Sequence, residues 1–238
     1  MRDALFNGRV ALHQPARGKT YRVNVDALIL AAFAAARGKR AKCAVDLGSG
    51  VGAVALSLLH LDAAERVTLI EIDARTAELA RLNMEENGWH ARSDVVRADA
   101  LTASRTRLGH ADLVVCNPPY VEPGRGRTPL GDARAQARSG TLADFVIAAR
   151  ALSARRGRSC FVYPAAELLT LMATLRASGL EPKRMRAVHA TDAAPARVVL
   201  VEALPGKAGG LLVEAPLIER AHVNGRYTPE MQKLLGVA

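Results

Sequence analysis

The residues with the clearest chemical potential are Asn117-Pro118-Pro119-Tyr120, which directly follow the apolar run 111–116. A run of apolar and β-branched residues predicts a buried strand, and two consecutive prolines cannot continue a central strand. The chain must therefore leave the sheet at Asn117 in a stiff turn, which would fix an amide, a carbonyl and an aromatic ring relative to one another. Ligands bind at this end of the strands in an open parallel sheet. An ordinary turn is the alternative, because Asn-Pro is a common turn opener.

A second motif, Asp46-Leu47-Gly48-Ser49-Gly50-Val51-Gly52-Ala53, has an acid near the end of an apolar strand and then a glycine-rich turn. Glycines let the backbone approach a ligand and adopt conformations that a Cβ forbids. The turn fits the dinucleotide pattern G-x-G-x-x-A, and Glu71 lies at about the expected distance beyond it. Two cofactor classes therefore compete, the nicotinamide or flavin dinucleotides and S-adenosylmethionine. The carboxylate of Asp46 favours S-adenosylmethionine, which carries an ammonium and a sulfonium rather than a pyrophosphate.

The chain resembles the class I amino-methyltransferases in the order and spacing of four segments: Asp46-Leu47-Gly48-Ser49-Gly50, Leu69-Ile70-Glu71-Ile72-Asp73, Ala98-Asp99-Ala100 and Asn117-Pro118-Pro119-Tyr120. The closer resemblance is to the bacterial enzymes that methylate N6 of adenosine-37, just 3′ of the anticodon, in a valine tRNA. It extends over nearly the whole chain through Gln14, Tyr21-Arg22-Val23-Asn24-Val25-Asp26, the Leu/Ala-rich segment after Asp26, Ala133-Arg134-Ala135-Gln136-Ala137-Arg138, Pro195-Ala196-Arg197 and Gly225-Arg226-Tyr227-Thr228.

This resemblance implies catalytic roles for three residues, Asn117, Pro118 and Tyr120. An adenine amine is a poor nucleophile because its lone pair is delocalised into the ring. The side-chain oxygen of Asn117 and the carbonyl of Pro118 would accept its two hydrogens and direct the lone pair at the methyl group. Tyr120 would stack on the extruded base, which costs less to extrude from a single-stranded anticodon loop than from a duplex.

The resemblance also implies a set of residues that bind S-adenosylmethionine: Asp46, Gly48, Gly50, Glu71, Ile72, Asp99, Ala100 and Asn117. Glu71 would accept hydrogen bonds from the ribose hydroxyls. Asp99, with the backbone of Ala100, would face the adenine amine, although an acid at that position could equally cap a helix. Asp73 is expected to cap the helix that follows it.

The basic residues are segregated along the chain, whose net charge is +10. Residues 1–42 hold nine Lys or Arg against two acids, and residues 121–140 hold four against two. Residues 43–120, in contrast, hold seven against eleven. This segregation favours a nucleic-acid partner over a neutral small substrate, and the anticodon stem-loop of tRNA is the partner that the resemblance implies. The residues expected to bind RNA are Arg9, Arg17, Lys19, Arg22, Arg125, Arg127, Arg134 and Arg138.

The elements that must position these residues alternate between apolar runs and helix-like segments, which predicts an α/β fold. Strands are expected at 44–47, 67–72, 94–97, 112–116, 159–163, 183–189 and 197–204, and helices at 51–60, 74–87, 142–153 and 165–178. A further helix should begin near Ala27, capped by Asn24 or Asp26. By resemblance the fold is a Rossmann-like, seven-stranded, mostly parallel sheet with helices on both faces, closed antiparallel by its last two strands. Residues 1–42 would be a short extension or lid of the same domain, and 43–238 the methyltransferase domain.

Three cysteines without a close pair predict buried thiols in a reducing cytosol, and the scattered histidines predict no metal site. The apolar stretch 27–36 is too short to span a bilayer, which favours a cytoplasmic protein.

Several functions remain open from the motifs alone. Asn-Pro-Pro-Tyr also occurs in enzymes that methylate a glutamine amide of release factors, which carry a longer helical N-terminal domain. Guanine-N2 methyltransferases of ribosomal RNA usually have Phe in place of Tyr120. DNA adenine methyltransferases need more sequence to recognise a duplex site. A non-catalytic RNA-binding module would leave Asp46 and Glu71 unexplained.

Overall fold

A computed structural model describes residues 2–15, 25–105, 110–119, 140–206 and 208–237. Eight residues with predicted catalytic or RNA-binding roles lie outside these ranges: Arg17, Lys19, Arg22, Tyr120, Arg125, Arg127, Arg134 and Arg138.

The centre of the molecule is a nine-stranded sheet of order β10-β8-β9-β7-β6-β3-β4-β5, with β11 also paired to β8. Its strands are β3 Ala41–Leu47, β4 Ala64–Glu71, β5 Ser93–Arg97, β6 Ala111–Cys116, β7 Ser153–Pro164, β8 Leu180–His189, β9 Ala196–Pro205, β10 Leu212–Val213 and β11 Leu217–Ile218. All neighbours are parallel except β9, which is antiparallel to both β7 and β8. The Rossmann-like fold is confirmed, and the seven expected strands are extended by two strands of two residues each.

Helices cover both faces of the sheet. They are α1 Val25–Ala35, α2 Ala53–His60, α3 Ala74–Glu86, α4 Ala100–Arg105, α5 Leu142–Leu152, α6 Leu168–Ala177 and α7 Pro229–Leu235, with short 3₁₀ turns at His90–Arg92 and Ala165–Glu167. One apolar core lies between the sheet and α1 to α3, and a second between the sheet and α4 to α6. Within the described ranges, no helix is both long and apolar enough to cross a membrane.

An N-terminal hairpin, which the sequence did not predict, consists of β1 Arg2–Leu5 and β2 Val10–His13. Two asparagine side chains, one in α3 and one directly after it, attach the hairpin to α3. Each forms hydrogen bonds with the backbone N–H and the backbone carbonyl of one β2 residue. Asn87 bonds the N–H and carbonyl of Ala11 at 2.9 Å each, and Asn83 bonds those of His13 at 2.6 and 3.0 Å. The buried Nδ2 of Asn83 also donates to the carbonyl of Val51 at 2.9 Å. The hairpin is therefore tied to the glycine turn that precedes α2.

Ion pairs hold both ends of α1. At its start, Asp26 pairs with Arg197 of β9 at 2.5 Å, and Arg197 also pairs with Glu219 at 2.5 Å. The helix begins at Val25, so Asp26 lies inside the first turn, and Asn24, the other expected cap, lies outside the described residues. Beyond its end, Arg37 bonds the buried Glu202 of β9 at 2.6 Å.

Candidate active site

Three strand ends bring the motif residues to one level of the sheet. Cys116 of β6 pairs with Leu47 of β3, and Leu47 pairs with Ile70 of β4. The next residues on these strands, Asn117, Gly48 and Glu71, are therefore level at the carboxyl edge. Adjacent strands are about 4.8 Å apart, so Asn117 and Glu71 are separated by roughly 10 Å of sheet. Strand β6 ends at Cys116, so the chain does leave the sheet at Asn117, and Pro118 is buried while Pro119 is exposed.

The glycine turn is fixed by bonds to β4, since the N–H groups of Gly48 and Ser49 both donate to the carbonyl of Ile70 at 2.9 Å. Gly48, Gly50 and Gly52 all have positive φ. A Cβ on Gly48 would lie 2.8 Å from Phe145, and a Cβ on Gly52 would lie 2.8 Å from Leu69. A Cβ on Gly50, in contrast, would have no atom of the described residues within 4 Å. Gly48 and Gly52 thus allow Phe145 and Leu69 to pack directly against the backbone of the turn, and Gly50 faces open space.

Glu71 joins the end of β4 to this turn. Its carboxylate accepts from the N–H of Gly50 at 2.9 Å and from the N–H of Asp73 at 2.8 Å. Burial raises the pKa of Glu71, and the backbone bonds from Asp73 and Gly50 oppose that shift. Each carboxylate oxygen has a further lone pair, so Glu71 can still accept from a ligand hydroxyl. The half-buried Ile72 follows it at the edge.

Asp46 lies behind the turn with its side chain buried. Its Oδ2 accepts from the N–H of Ala55 in the first turn of α2 at 3.0 Å, so this carboxylate satisfies a free donor at the helix start. No Lys, Arg or His of the described residues pairs with it. Burial is the main cause that raises the pKa of Asp46 to about 7, and the charge of Glu71 adds to it. An acid so placed favours a cationic ligand nearby.

Asp99 and Asp73 both cap helices. Asp99 accepts from the N–H groups of Leu101 at 2.9 Å and Thr102 at 3.2 Å, at the start of α4. Asp73 accepts from the N–H of Thr76 at 2.9 Å, as predicted, and these bonds lower its pKa. The cap does not exclude a second contact of Asp99 with a cofactor. Ala100 is buried at the same helix start.

Arg9 is placed away from these strand ends. It belongs to the hairpin turn in which the ring of Phe6 stacks on His60 at 4.3 Å, at the far end of α2 from the glycine turn. A helix of eight residues is about 12 Å long. The structure therefore does not bring Arg9 to Asn117.

Two groups at the site were not anticipated from the sequence. The hydroxyl of Ser49 is buried within the glycine turn and has no hydrogen-bond partner among the described residues. Asn83 holds the carbonyl of Val51 in the same turn. The only sequence signal for Asn83 is a polar residue on the otherwise apolar face of α3, four residues before Asn87. The described ranges contain no group of His, Cys, Asp or Glu that could hold a metal ion.

Comparisons with known proteins agree with this geometry. Residues 24–138 match the family described as methyltransferase small domain. A protein named tRNA1(Val) (adenine(37)-N6)-methyltransferase, from Enterobacter sp. (strain 638), is 37% identical over 149 residues, which are 60% of this chain and 58% of that protein. The chain spans about three fifths of the length of such curated relatives.

Two solved structures share the fold. A predicted O-methyltransferase from Agrobacterium tumefaciens has a TM-score of 0.70 and 26% identity, and the match covers 89% of this chain and 96% of that one. The Thermus thermophilus 16S rRNA N2 G1207 methyltransferase, solved with AdoMet and guanosine, has a TM-score of 0.62 and 19% identity, over 87% of this chain and 50% of that one. The chain has the fold of the class I methyltransferases, and its residues 24–138 match a methyltransferase small domain. The resemblance to the tRNA adenine-N6 branch is confirmed by the relatives that carry that name.

Proposed function

We propose that this protein uses S-adenosylmethionine to methylate N6 of an adenosine in tRNA, at adenosine-37 of a valine tRNA. The observation that carries the proposal is the row of Asn117, Gly48 and Glu71 at the carboxyl ends of adjacent strands. This row puts an amide that can act on a planar nitrogen roughly 10 Å along the sheet from a carboxylate that can bind ribose hydroxyls.

The residues present fit S-adenosylmethionine. Among the described residues, Gly50 faces open space and the buried hydroxyl of Ser49 has no hydrogen-bond partner, and Asp46 and Glu71 supply negative charge. Glu71, followed by Ile72, would hold the ribose, and Asp99 with the backbone of Ala100 would hold the adenine. When bound, the cofactor supplies a methyl group on a positively charged sulfur. A cationic ligand would also offset the cost of burying Asp46 in its ionised form.

Asn117 and Pro118 would act on the acceptor. The Asn117 side-chain oxygen and the Pro118 carbonyl would each accept one hydrogen of the adenine amine, which directs the nitrogen lone pair out of the ring plane. Pro118 is buried at this point of the chain. The N–C bond would form as the S–C bond of the cofactor breaks, and the proton of the methylated, positively charged nitrogen would then pass to water, so no strong base is required. Tyr120 is proposed to stack on the base.

The tRNA substrate is supported by the names of the relatives and by the net charge of +10. We assign the phosphate contacts outside the described residues to Arg17, Lys19, Arg22, Arg125, Arg127, Arg134 and Arg138. Residues 1–42 would act as a substrate-side extension of the methyltransferase domain 43–238. A tRNA substrate would place the reaction in the cytoplasm.

The test is methyl transfer from labelled S-adenosylmethionine to total tRNA, with the methylated nucleoside and its position identified by mass spectrometry. We expect N6-methyladenosine in valine tRNA, and Asn117→Ala should abolish transfer while it leaves the affinity for S-adenosylhomocysteine largely intact. A methylated release-factor glutamine, a methylated guanine or a methylated oxygen, as in the name of the Agrobacterium protein, would each contradict the proposed acceptor. Near-normal turnover of Asn117→Ala would contradict the assigned role of that residue.

A further inference from the structure

The segment after β11 forms part of the carboxyl edge of the sheet. Strand β11 pairs in parallel with Val188 and His189 at the end of β8. The N–H groups of Glu219 and Arg220 then donate to the carbonyls of His189 at 2.9 Å and Ala190 at 3.0 Å. Residues 219–228 thus continue beyond the same edge as Asn117. Because β11 lies on the outer side of β8, four positions from β6 in the sheet, the two places are separated by roughly 19 Å along the sheet.

The guanidinium of Arg220 is held rigidly in this segment. It donates to the carbonyl of Gly225 at 2.6 Å, and its central carbon lies 4.2 Å from the centre of the Tyr227 ring. Among the described residues no carboxylate pairs with it, although the nearby Arg197 is neutralised by Glu219 and Asp26. Arg220 therefore keeps a positive charge and N–H donors that no other described residue uses.

Beside Arg220 lies a groove of about 530 Å³. Its lining has two arginines, two amide side chains and no acid: Arg220, Asn224, Gly225, Arg226, Tyr227, Gln232 and Val237. Arg226 and Asn224 are exposed. A positively charged groove with planar donors and an aromatic ring is complementary to a polyanion that carries planar bases.

We propose that this Arg220 groove binds the sugar-phosphate backbone of the RNA strand whose adenosine reaches Asn117; the inference rests on the proposed tRNA substrate. Arg220 would engage a phosphate through its planar fork while Tyr227 keeps that fork in place, and Arg226 would contact a neighbouring phosphate. The distance of roughly 19 Å from β6 is suited to nucleotides that flank the extruded base rather than to that base itself. The groove thereby adds a contact surface at the opposite side of the active site from β4 and β5.

The test compares Arg220→Gln and Arg226→Gln with a matched control, Arg155→Gln/Arg156→Gln. The control removes two exposed charges at the start of β7. This start lies at the amino edge of the sheet, opposite to the carboxyl edge that holds Asn117 and the Arg220 groove. Binding of a fluorescein-labelled valine tRNA transcript is measured by anisotropy at several salt concentrations, and methyl transfer is measured over a range of tRNA concentrations. Arg226 is exposed, and only its backbone carbonyl bonds to Ala221, so its replacement should not disturb the fold.

We expect each single variant to lower tRNA affinity about tenfold and to flatten the salt dependence by about one unit. The KM for tRNA should rise, kcat at saturating tRNA should change little, and binding of S-adenosylhomocysteine should be retained. Arg220→Lys should recover the salt dependence and only part of the affinity, because an ammonium cannot form the planar fork.

The two proposals fail in different ways. If wild-type protein methylates tRNA and both single variants match the control in affinity and salt dependence, the Arg220 groove is not an RNA site. The opposite result has two parts: wild-type protein transfers no methyl group to tRNA, and Arg220→Gln and Arg226→Gln bind tRNA more weakly than wild type. That result would support the groove as an RNA site and contradict the proposed reaction.

Discussion

Asp46 and Glu202 are two buried acids in the same row of the sheet, yet their surroundings are opposite. Asp46 pairs across the sheet with Val115, Val115 with Cys160, and Cys160 with Glu202. Residues in one row point to the same face, and both acids face the core beneath α1 and α2. Their exposed fractions are 1% and 0%.

Glu202 is surrounded by cations of the protein itself. Arg37 bonds it at 2.6 and 2.9 Å, Arg184 at 3.1 Å, and Arg158 at 3.4 Å. The same arginines reach the end of α1, where Arg184 donates to the carbonyl of Phe33 at 2.6 Å and Arg158 to that of Ala34 at 2.7 Å. Asp46 has one backbone donor and no cation among the described residues. An uncompensated buried charge is costly. The arginines around Glu202 make it a structural clamp, whereas the lack of a cation beside Asp46 among the described residues supports its proposed role beside a cationic ligand.

The largest effect should come from Glu202→Gln, which removes the charge shared by three arginines and leaves Arg184 with Glu214 alone as its carboxylate partner among the described residues. Breaking a buried ion pair in this way typically costs about 3–5 kcal/mol. The free energy of unfolding is measured by urea denaturation. Glu65→Gln, at an exposed carboxylate of β4, is the control and should change stability by less than about 0.5 kcal/mol. Equal effects of the two variants would show that the cluster does not anchor α1.

In contrast to Glu202→Gln, Asp46→Asn should reduce cofactor binding and leave the stability of the fold intact. The amide oxygen can still accept from Ala55, so the free energy of unfolding near pH 8 should be unchanged or higher, because a buried charge is lost. Affinity for S-adenosylmethionine should fall by about 1–3 kcal/mol, the range for a contact with a charged group. Unfolding experiments and titration calorimetry measure the two quantities. Strong destabilisation together with unchanged cofactor affinity would show that Asp46, like Glu202, serves the stability of the fold and not the binding of the cofactor.

The pH dependence of stability and of cofactor affinity gives a second test of the role of Asp46, because the pKa of Asp46 is raised from its ordinary value of 3.8 to about 7. Between these values the folded protein keeps a proton that the unfolded chain releases. The Asp46 contribution to stability therefore falls as the pH rises from about 4 to about 7, and it is constant above that. Ionisation above pH 7 should strengthen binding of the cationic cofactor. Both trends should be absent from Asp46→Asn, and a wild-type affinity that is flat from about pH 6 to about pH 8 would contradict the assignment.

The sequence predicted the row at the carboxyl edge well because each motif follows directly after an apolar run. The strand end then fixes where Gly48, Glu71 and Asn117 lie. It could not predict how the acids are paired, since Arg37 and Glu202 are 165 positions apart and meet only through the fold. The apolar segment 211–213 indicates a further short strand, which the structure has as β10. Strand β11, with two residues, is too short to give a periodic pattern, and the N-terminal hairpin has strands of only four residues.

The cap of α4 shows a further limit, because one position can serve structure and ligand at once. The residue type of Asp99 fits both a helix cap and a partner for the cofactor adenine, and the structure displays the cap. Capping alone requires an oxygen acceptor, which Asn also provides, whereas the proposed adenine contact requires acceptors on both oxygens of the side chain.

The smallest effect is therefore expected from Asp99→Asn, with Asp99→Ala as its companion. Asp99→Ala should lose the cap and about 1 kcal/mol of stability, and Asp99→Asn should lose almost none. If Asp99 also binds the adenine amine, Asp99→Asn should still weaken the binding of S-adenosylhomocysteine by roughly 1 kcal/mol, because one carboxylate oxygen is replaced by an amide NH2 group that cannot accept a hydrogen bond from the amine. Thermal unfolding and calorimetry on the same samples separate the two roles. Full cofactor affinity in Asp99→Asn would leave this acid with the cap alone, and Glu71 and Asp46 would then be the only acids of the described residues proposed to act on the cofactor.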